Sequence, residues 1–357
     1  MIMVPYLALS FVLFSVPYAV TARAFRNTGG SIVLEEAWTI PSLVNDTSLI
    51  PPFNQTSSEL VSNILDIHNQ RLAFMNENDI DFMVISCASP CVQGISDTET
   101  AQQQAVQLNN ILAQSISNST DRFGAFAALA MQDPAVAAQE LRRTVTELGF
   151  LGALVNDYQQ SGPDGMTLLY YDQPEYDVFW ETVTELDVPV YFHPRSNIPE
   201  IITLEYAHAI WLEGPAQEFA ATLSTHILGV ITNGVFDRFP TLKVIVGHLG
   251  ERIPSDFFRI DEQLRRQLIN GLPMLRNASD YWRTNLWETT SGNFATPLLQ
   301  FHINQIGIDR ILFSIDYPYV PIPEGAAWLD TLTSVLNEQD FLSVKRNLAI
   351  QLLKLDQ

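Results

Sequence analysis

Eight short apolar runs rich in β-branched residues punctuate this chain, and amphipathic segments alternate with them to the end. The runs span residues 31–35, 82–86, 123–129, 153–156, 189–193, 242–247, 285–289 and 311–315, and the segments between them include 58–78, 101–117, 134–148 and 175–186. Strands that alternate with helices imply a parallel sheet, because a parallel neighbour is reached only through a crossover. Eight such units fit a closed (β/α)8 barrel better than an open sheet. Two longer irregular pieces, 44–57 after the first strand and 271–283 before the seventh, are expected to shape the mouth of such a barrel and its choice of substrate.

In a barrel of this kind, functional side chains stand at the C-terminal ends of the strands. Here the first strand ends in Glu35-Glu36, the fifth in His193-Pro194-Arg195, the sixth in Gly247-His248-Leu249-Gly250-Glu251 and the eighth in Asp316-Tyr317-Pro318. Taken singly, His193 could be a core histidine, Asp316 a helix cap and the glutamates a solvated turn. Together they bring two imidazoles and two carboxylates to one rim, a mixed nitrogen and oxygen set that suits one divalent ion such as Zn²⁺ or Mn²⁺. His68, His208, His226 and His302 lie away from strand ends and are expected to be structural, His68 on a helix.

Charge limits the partners. Lys+Arg number 19 against 40 Asp+Glu, a formal charge of −21. That excess repels nucleic acid and anionic membranes, and an anionic substrate would need local positive charge. Residues 1–20 carry no charge and lead to Ala22-Arg23-Ala24, which reads as a signal-peptidase site, although no basic residue precedes Arg23. The expectation is a signal peptide over 1–24, or a membrane anchor, ahead of one barrel domain over 25–357. Sequons at Asn45, Asn54, Asn118 and Asn277 agree with a secreted glycoprotein. The two cysteines, Cys87 and Cys91, are either bonded to each other or free.

The segments Val33-Leu34-Glu35-Glu36-Ala37, Tyr191-Phe192-His193-Pro194-Arg195, Gly247-His248-Leu249-Gly250-Glu251-Arg252 and Phe313-Ser314-Ile315-Asp316-Tyr317-Pro318 resemble the amidohydrolase-superfamily decarboxylases. Within these they are similar to the 2,3-dihydroxybenzoate and γ-resorcylate branch, related to aminocarboxymuconate semialdehyde decarboxylase, with the fungal 2,3-dihydroxybenzoate enzymes nearest. So is the stretch from Tyr171 to Trp180. The resemblance implies that Glu35, His193 and Asp316 ligate one divalent metal (Zn²⁺, Mn²⁺ or Mg²⁺). It places His248 beside the metal, paired with Glu251, and makes Asp316 the proton donor. It makes Arg259 a substrate-facing arginine and Tyr319 an aromatic wall, and it implies a homodimer or homotetramer. One departure stands out. Many members have a histidine where this chain has Ala37, which removes a potential ligand.

The implied reaction is loss of CO2 from an ortho-hydroxybenzoic acid such as 2,3-dihydroxybenzoate, salicylate or an orsellinate-like acid. The alternatives are a mononuclear hydrolase of a lactone or ester and a non-catalytic glycoprotein on a decayed barrel. A lysine-bridged two-metal site is not expected, since the chain has only Lys243, Lys345 and Lys354 and the fourth strand ends in Asn156-Asp157.

Overall fold

Each of the eight expected runs begins or contains a strand in the computed structural model, which describes residues 24–47, 49–52 and 55–356. The strands are β1 (Ser31–Trp38), β2 (Ile80–Cys87), β3 (Phe123–Ala125), β4 (Ala153–Asn156), β5 (Pro189–His193), β6 (Lys243–Val246), β7 (Leu286–Thr289) and β8 (Ile311–Leu312). β1, β2 and β3 pair in parallel, as do β4 to β8 in order, and a parallel bridge between Ala127 and Ala153 joins the two sets.

Side chains close the ring between β8 and β1. The Ser314 hydroxyl accepts from the backbone N–H of Leu34 at 3.0 Å and of Glu35 at 2.8 Å. The Glu36 carboxylate accepts from Ser314 Oγ at 2.9 Å and from the N–H groups of Ile315 at 3.1 Å and Tyr317 at 2.8 Å. These bonds replace ladder bonds, which explains why β8 ends at Leu312 rather than at the expected residue 315. The closed parallel strands form a (β/α)8 barrel.

Ile32, Leu34, Phe82, Val84, Phe126, Leu154, Tyr191 and Ile245 fill the barrel interior, and Leu352, Leu353 and Leu355 of the C-terminal segment pack against them. A larger apolar layer lies between the strands and the surrounding helices. Among those helices are α1 (Ser57–Leu65), α2 (Gln70–Glu77), α3 (Thr98–Ile116), α4 (Pro134–Glu147), α5 (Asp177–Leu186) and α6 (Glu218–Thr232). Asp97 caps α3 by accepting from Thr100 N, and Asp133 caps α4, whose first residue is Pro134. The amphipathic segment at 58–78 forms two helices, not one. Asp66 accepts from the N–H groups of Asn69 and Arg71, which ends α1 and starts α2, so His68 lies on the bend between them.

After β6 come α7 (Phe257–Arg265), α8 (Ala278–Asn285) and α9 (Thr296–Ile306). α8 occupies the second half of the piece expected to be irregular. Asn277 begins it and Asp280 accepts from the Asn277 N–H, so the sequon at Asn277 doubles as a helix start. A hairpin of Gln159–Ser161 and Thr167–Leu169, not anticipated from the sequence, follows β4. Cys87 and Cys91 are bonded to each other, with their Cα atoms 5.8 Å apart. Among the described residues no helix is long and apolar enough to cross a membrane. The expected leader lies outside the described residues except for Ala24, as does the sequon residue Asn54.

Burial pushes the Glu36 carboxyl up to about 8, against the N–H donors of Tyr317 and Ile315, the Ser314 hydroxyl and the nearby Arg71 charge. A carboxyl raised in the folded state favours folding fully below its ordinary value of 4.5, and that contribution is lost as pH rises through 8. Between about pH 5 and about pH 8 the wild type should therefore lose stability relative to Glu36→Gln. Urea denaturation at the two pH values measures this, and parallel losses in both proteins would contradict it.

Candidate metal centre and active site

An extra residue in β1 decides which glutamate enters the barrel. Val33 pairs with Met83 and Glu36 with Ile85, so Leu34 and Glu35 together oppose one residue of β2. Such a bulge shifts the phase of a strand by one residue. Leu34 stays in the interior cluster, Glu35 also turns inward, and Glu36 turns out to the seam.

Both glutamates are buried, with Glu35 2% and Glu36 0% exposed, so neither belongs to a solvated turn. Glu35 Oε2 accepts from the hydroxyls of Tyr191, Thr289 (3.0 Å) and Ser291. Oε1 has no hydrogen-bond partner and lies 3.3 Å from both His193 Nε2 and His248 Nε2. Gly247 makes room for this carboxylate, since a Cβ there would stand 2.7 Å from Oε2.

His193, the last residue of β5, donates from Nδ1 to the carbonyl of Pro194 at 2.7 Å. That bond leaves the lone pair on Nε2, which faces Glu35. His248 lies just past β6 in an unusual turn. Residues 248 to 252 all have positive φ: 54° at His248, 55° at Leu249, 64° at Gly250, 49° at Glu251 and 69° at Arg252. The left-handed turn brings the Glu251 carboxylate to 2.6 Å from His248 Nδ1. Asn293 Nδ2 donates to the His248 carbonyl at 3.2 Å. Asp316, beyond β8, is also left-handed, at φ 80°. Its Oδ2 lies 3.8 Å from His248 Nε2.

Glu35, His193, His248 and Asp316 thus present ligand atoms that all lie within 4.8 Å of one another. Three of them were the expected ligands. The fourth, His248, stands inside the same cluster rather than merely beside it. Ala37, at the position of the missing histidine, lines a small void next to Glu35, His193 and Asp316. The quartet fits one divalent ion: two imidazoles and two carboxylates converge, and a buried carboxylate oxygen has no other partner.

Burial would raise the Glu35 carboxyl, but the charge of His248, with the neighbouring His193 imidazole, outweighs it and holds it at about 2. Burial would lower His248, but the carboxylates of Glu35 and Glu251 raise it well above the ordinary imidazole value. Burial pushes the Asp316 carboxyl up. The neighbouring His248 opposes this, and the Glu35 charge adds to the push. Burial and the Glu35 charge keep the proton on Tyr191, so it remains a donor.

A cavity of about 310 Å³ opens over the quartet and is lined by His193, His248, Glu251, Asp316 and Tyr319. Ile50, Pro51 and Pro52, from the loop after β1, form part of its apolar wall, as expected of that loop. The piece at 271–283 contributes nothing to the lining. Pro215 and Phe219 complete the apolar side instead. Arg259 is exposed on α7 and is not part of the lining, whereas Arg252 is. Sequence reasoning missed Arg252, although it lies in a quoted motif, and also Asn293, Tyr191, Thr289 and Ser291. Polar residues two apart on β5 and at the end of β7 were the available signal.

The other histidines are structural or peripheral. His226 is buried on α6, 3.1 Å from Asp157 Oδ1, and accepts from the Tyr171 N–H. His302 is buried between Glu288 and Ser255. His68 Nε2 is bonded to the Ser115 carbonyl, and His208 is in an exposed turn. The three lysines pair with Asp187 or Asp79, away from the cavity, so no lysine bridges the site.

Residues 63–346 match the family model described as amidohydrolase. The chain is 41% identical over 332 residues to the γ-resorcylate decarboxylase of Rhodococcus jostii, covering 92% of this chain and 99% of that one. The crystal structure of a dihydroxybenzoic acid decarboxylase from Polaromonas sp. JS666, with bound manganese and the inhibitor 2-nitroresorcinol, superposes with a TM-score of 0.86. That protein is 39% identical, with 92% of this chain and 98% of that chain covered. The 2,3-dihydroxybenzoate decarboxylase of Aspergillus niger matches at 27% over only 38% of this chain. Similarity of this extent, over a barrel whose strand ends keep two imidazoles and two carboxylates together, means that the chain belongs to the amidohydrolase superfamily, among the decarboxylases related to the γ-resorcylate and dihydroxybenzoate enzymes.

Proposed function

We propose that this chain is a metal-dependent, non-oxidative carboxy-lyase whose substrate is a benzoic acid with hydroxyl groups ortho to the carboxylate. 2,6-Dihydroxybenzoate is the first candidate, ahead of 2,3-dihydroxybenzoate, salicylate and orsellinate-like acids, because the more extensive likeness is to γ-resorcylate enzymes. One observation carries the reading. A bare Glu35 oxygen suited to a cation lies in one cluster with His193, His248 and Asp316, and the last three line the cavity.

The chemistry explains why a cation and Asp316 are both needed. Direct loss of CO2 would leave an aryl anion in the ring plane, where resonance cannot stabilise it. Protonating the carboxyl-bearing carbon first avoids that anion, and an ortho oxygen supplies the electron density the protonated ring requires. When bound, a Mn²⁺ or Zn²⁺ ion would supply Lewis acidity and a template for the carboxylate and ortho oxygen. Glu35, His193 and Asp316 would hold it, with His248 beside or within the set. Asp316 would deliver the proton to the ring carbon. His248, fixed by Glu251, would orient the ortho hydroxyl. Tyr319 and Phe219 would bound the ring, and the apolar wall would limit water near the reacting carbon.

Arg259 is the weakest of the expected assignments. It is exposed outside its own cavity, so it could meet a substrate only at a contact between copies. Its role and a homodimer or homotetramer therefore form one proposal. A leader over 1–24 ahead of a barrel domain over 25–357, with glycans at Asn45, Asn54, Asn118 and Asn277, is a separate one. Asn45 and Asn118 are exposed.

The deciding experiment offers the hydroxybenzoates named above to metal-loaded protein and follows CO2 and phenol. Hydrolysis would release an acid and no CO2, and an inert barrel would release neither. Asp316→Asn should lower turnover of 2,6-dihydroxybenzoate at least about a hundredfold. Full activity in that variant would remove Asp316 as the acid. Tyr191→Phe takes one donor from Glu35 Oε2 and should weaken metal affinity about 10- to 100-fold, as read by competition with a chelator. An unchanged affinity would show that the hydroxyl cradle does not tune the metal site.

A further inference from the structure

The cavity lining contains one permanent cation, Arg252, and its position is set by backbone geometry. It ends the left-handed turn, at φ 69°, and its side chain reaches across the mouth to the segment before α6. There Nη2 donates to the Ala216 carbonyl at 2.9 Å and Nη1 donates to Gln217 Oε1. Both acceptors are neutral. Other surface arginines are compensated by acids: Arg142 by Glu185, Arg238 by Asp177, Arg265 by Glu262 and Arg283 by Asp280. Among the described residues no carboxylate forms an ion pair with Arg252.

We infer that Arg252 is the anion-capturing residue at the mouth of the cavity, the group that draws in the aromatic acid by its carboxylate. The inference rests on the proposed reaction and adds a binding residue to it. A protein with a formal charge of −21 repels an anionic acid, and Glu251 in the same lining adds to that repulsion. An uncompensated guanidinium at the entrance offsets it locally. With two of its five N–H donors committed to Ala216 and Gln217, the fork retains donors for a carboxylate.

The test compares wild type, Arg252→Gln and Arg252→Lys, each loaded with Mn²⁺. Calorimetry would measure binding of 2,6-dihydroxybenzoate and of resorcinol, the neutral molecule without the carboxylate. Arg252→Gln should weaken acid binding about tenfold or more and leave resorcinol within about twofold, with Arg252→Lys between. KM for the acid should rise in parallel while kcat stays within about threefold. Raising NaCl from about 50 to about 300 mM should weaken acid binding more in wild type than in Arg252→Gln. Unchanged acid binding in Arg252→Gln would overturn the inference. So would an equal loss of acid and resorcinol, which would mark the arginine as a clamp on the loop alone, and so would a wild type that does not bind the acid. If wild type binds the acid but releases no CO2, the proposed reaction fails, while the contrast between acid and resorcinol still judges Arg252.

Discussion

A single buried carboxylate organises this barrel. Glu35 has one oxygen saturated by three hydroxyls and the other bare, pointing at two imidazoles. Burying an ionised carboxylate is expensive unless it is paired and hydrogen-bonded. Several features can be understood as meeting that cost. The bulge in β1 turns the side chain inward, Tyr191 from β5 and Thr289 and Ser291 from β7 and its end supply donors, and Gly247 keeps a Cβ out of the way. They come from four different strands or their ends, so the charge is satisfied only when the ring is closed. The same bulge sends Glu36 to the seam, where it receives the backbone donors that close the ring. One inserted residue thus couples the metal centre to the integrity of the barrel.

The left-handed turn after β6 is the second costly feature. Non-glycine residues in this conformation each cost roughly 1–2 kcal/mol, and here four of five consecutive residues are not glycine. Strain of this kind persists only where the surroundings over-determine it. They do so here. Gly250 is the member with no alternative, because a Cβ there would lie 2.6 Å from Trp282 and 2.8 Å from the Glu288 carboxylate. Arg252 ties the far end to residues 216 and 217, and Asn293 holds the His248 carbonyl. What the turn achieves is local. It places His248 and Glu251 in contact within three residues and directs the imidazole into the quartet, which a strand running straight on would not do.

Much of this was legible in the sequence, and the exceptions have physical causes. The strand alternation was visible because apolar runs bounded by amphipathic segments leave little choice of topology. The quartet was visible because strand ends collect function in a barrel, and all four members lie at or within a few residues of one. Which of Glu35 and Glu36 faces inward came only from the family resemblance, since a bulge leaves no compositional trace. The hydroxyl cradle was hidden because Tyr191 reads as an ordinary strand residue and Thr289 as its terminus. The piece at 271–283 is only half irregular, because Asn277 starts a helix within it. Arg259 was assigned by resemblance alone, whereas Arg252 lines the cavity because of where the turn directs its side chain.

The balance of charge also separates this site from a hydrolytic one built on similar parts. A hydrolase needs a group that takes a proton from water, and a depressed carboxyl or neutral imidazole serves that purpose. Here Glu251 and Asp316 both line the cavity, Glu251 committed to His248 and Asp316 pushed up by burial, while Glu35, the depressed carboxyl, is buried among hydroxyls and imidazoles. With an apolar wall opposite and no lysine to bridge a second ion, the arrangement favours giving a proton to carbon over removing one from water.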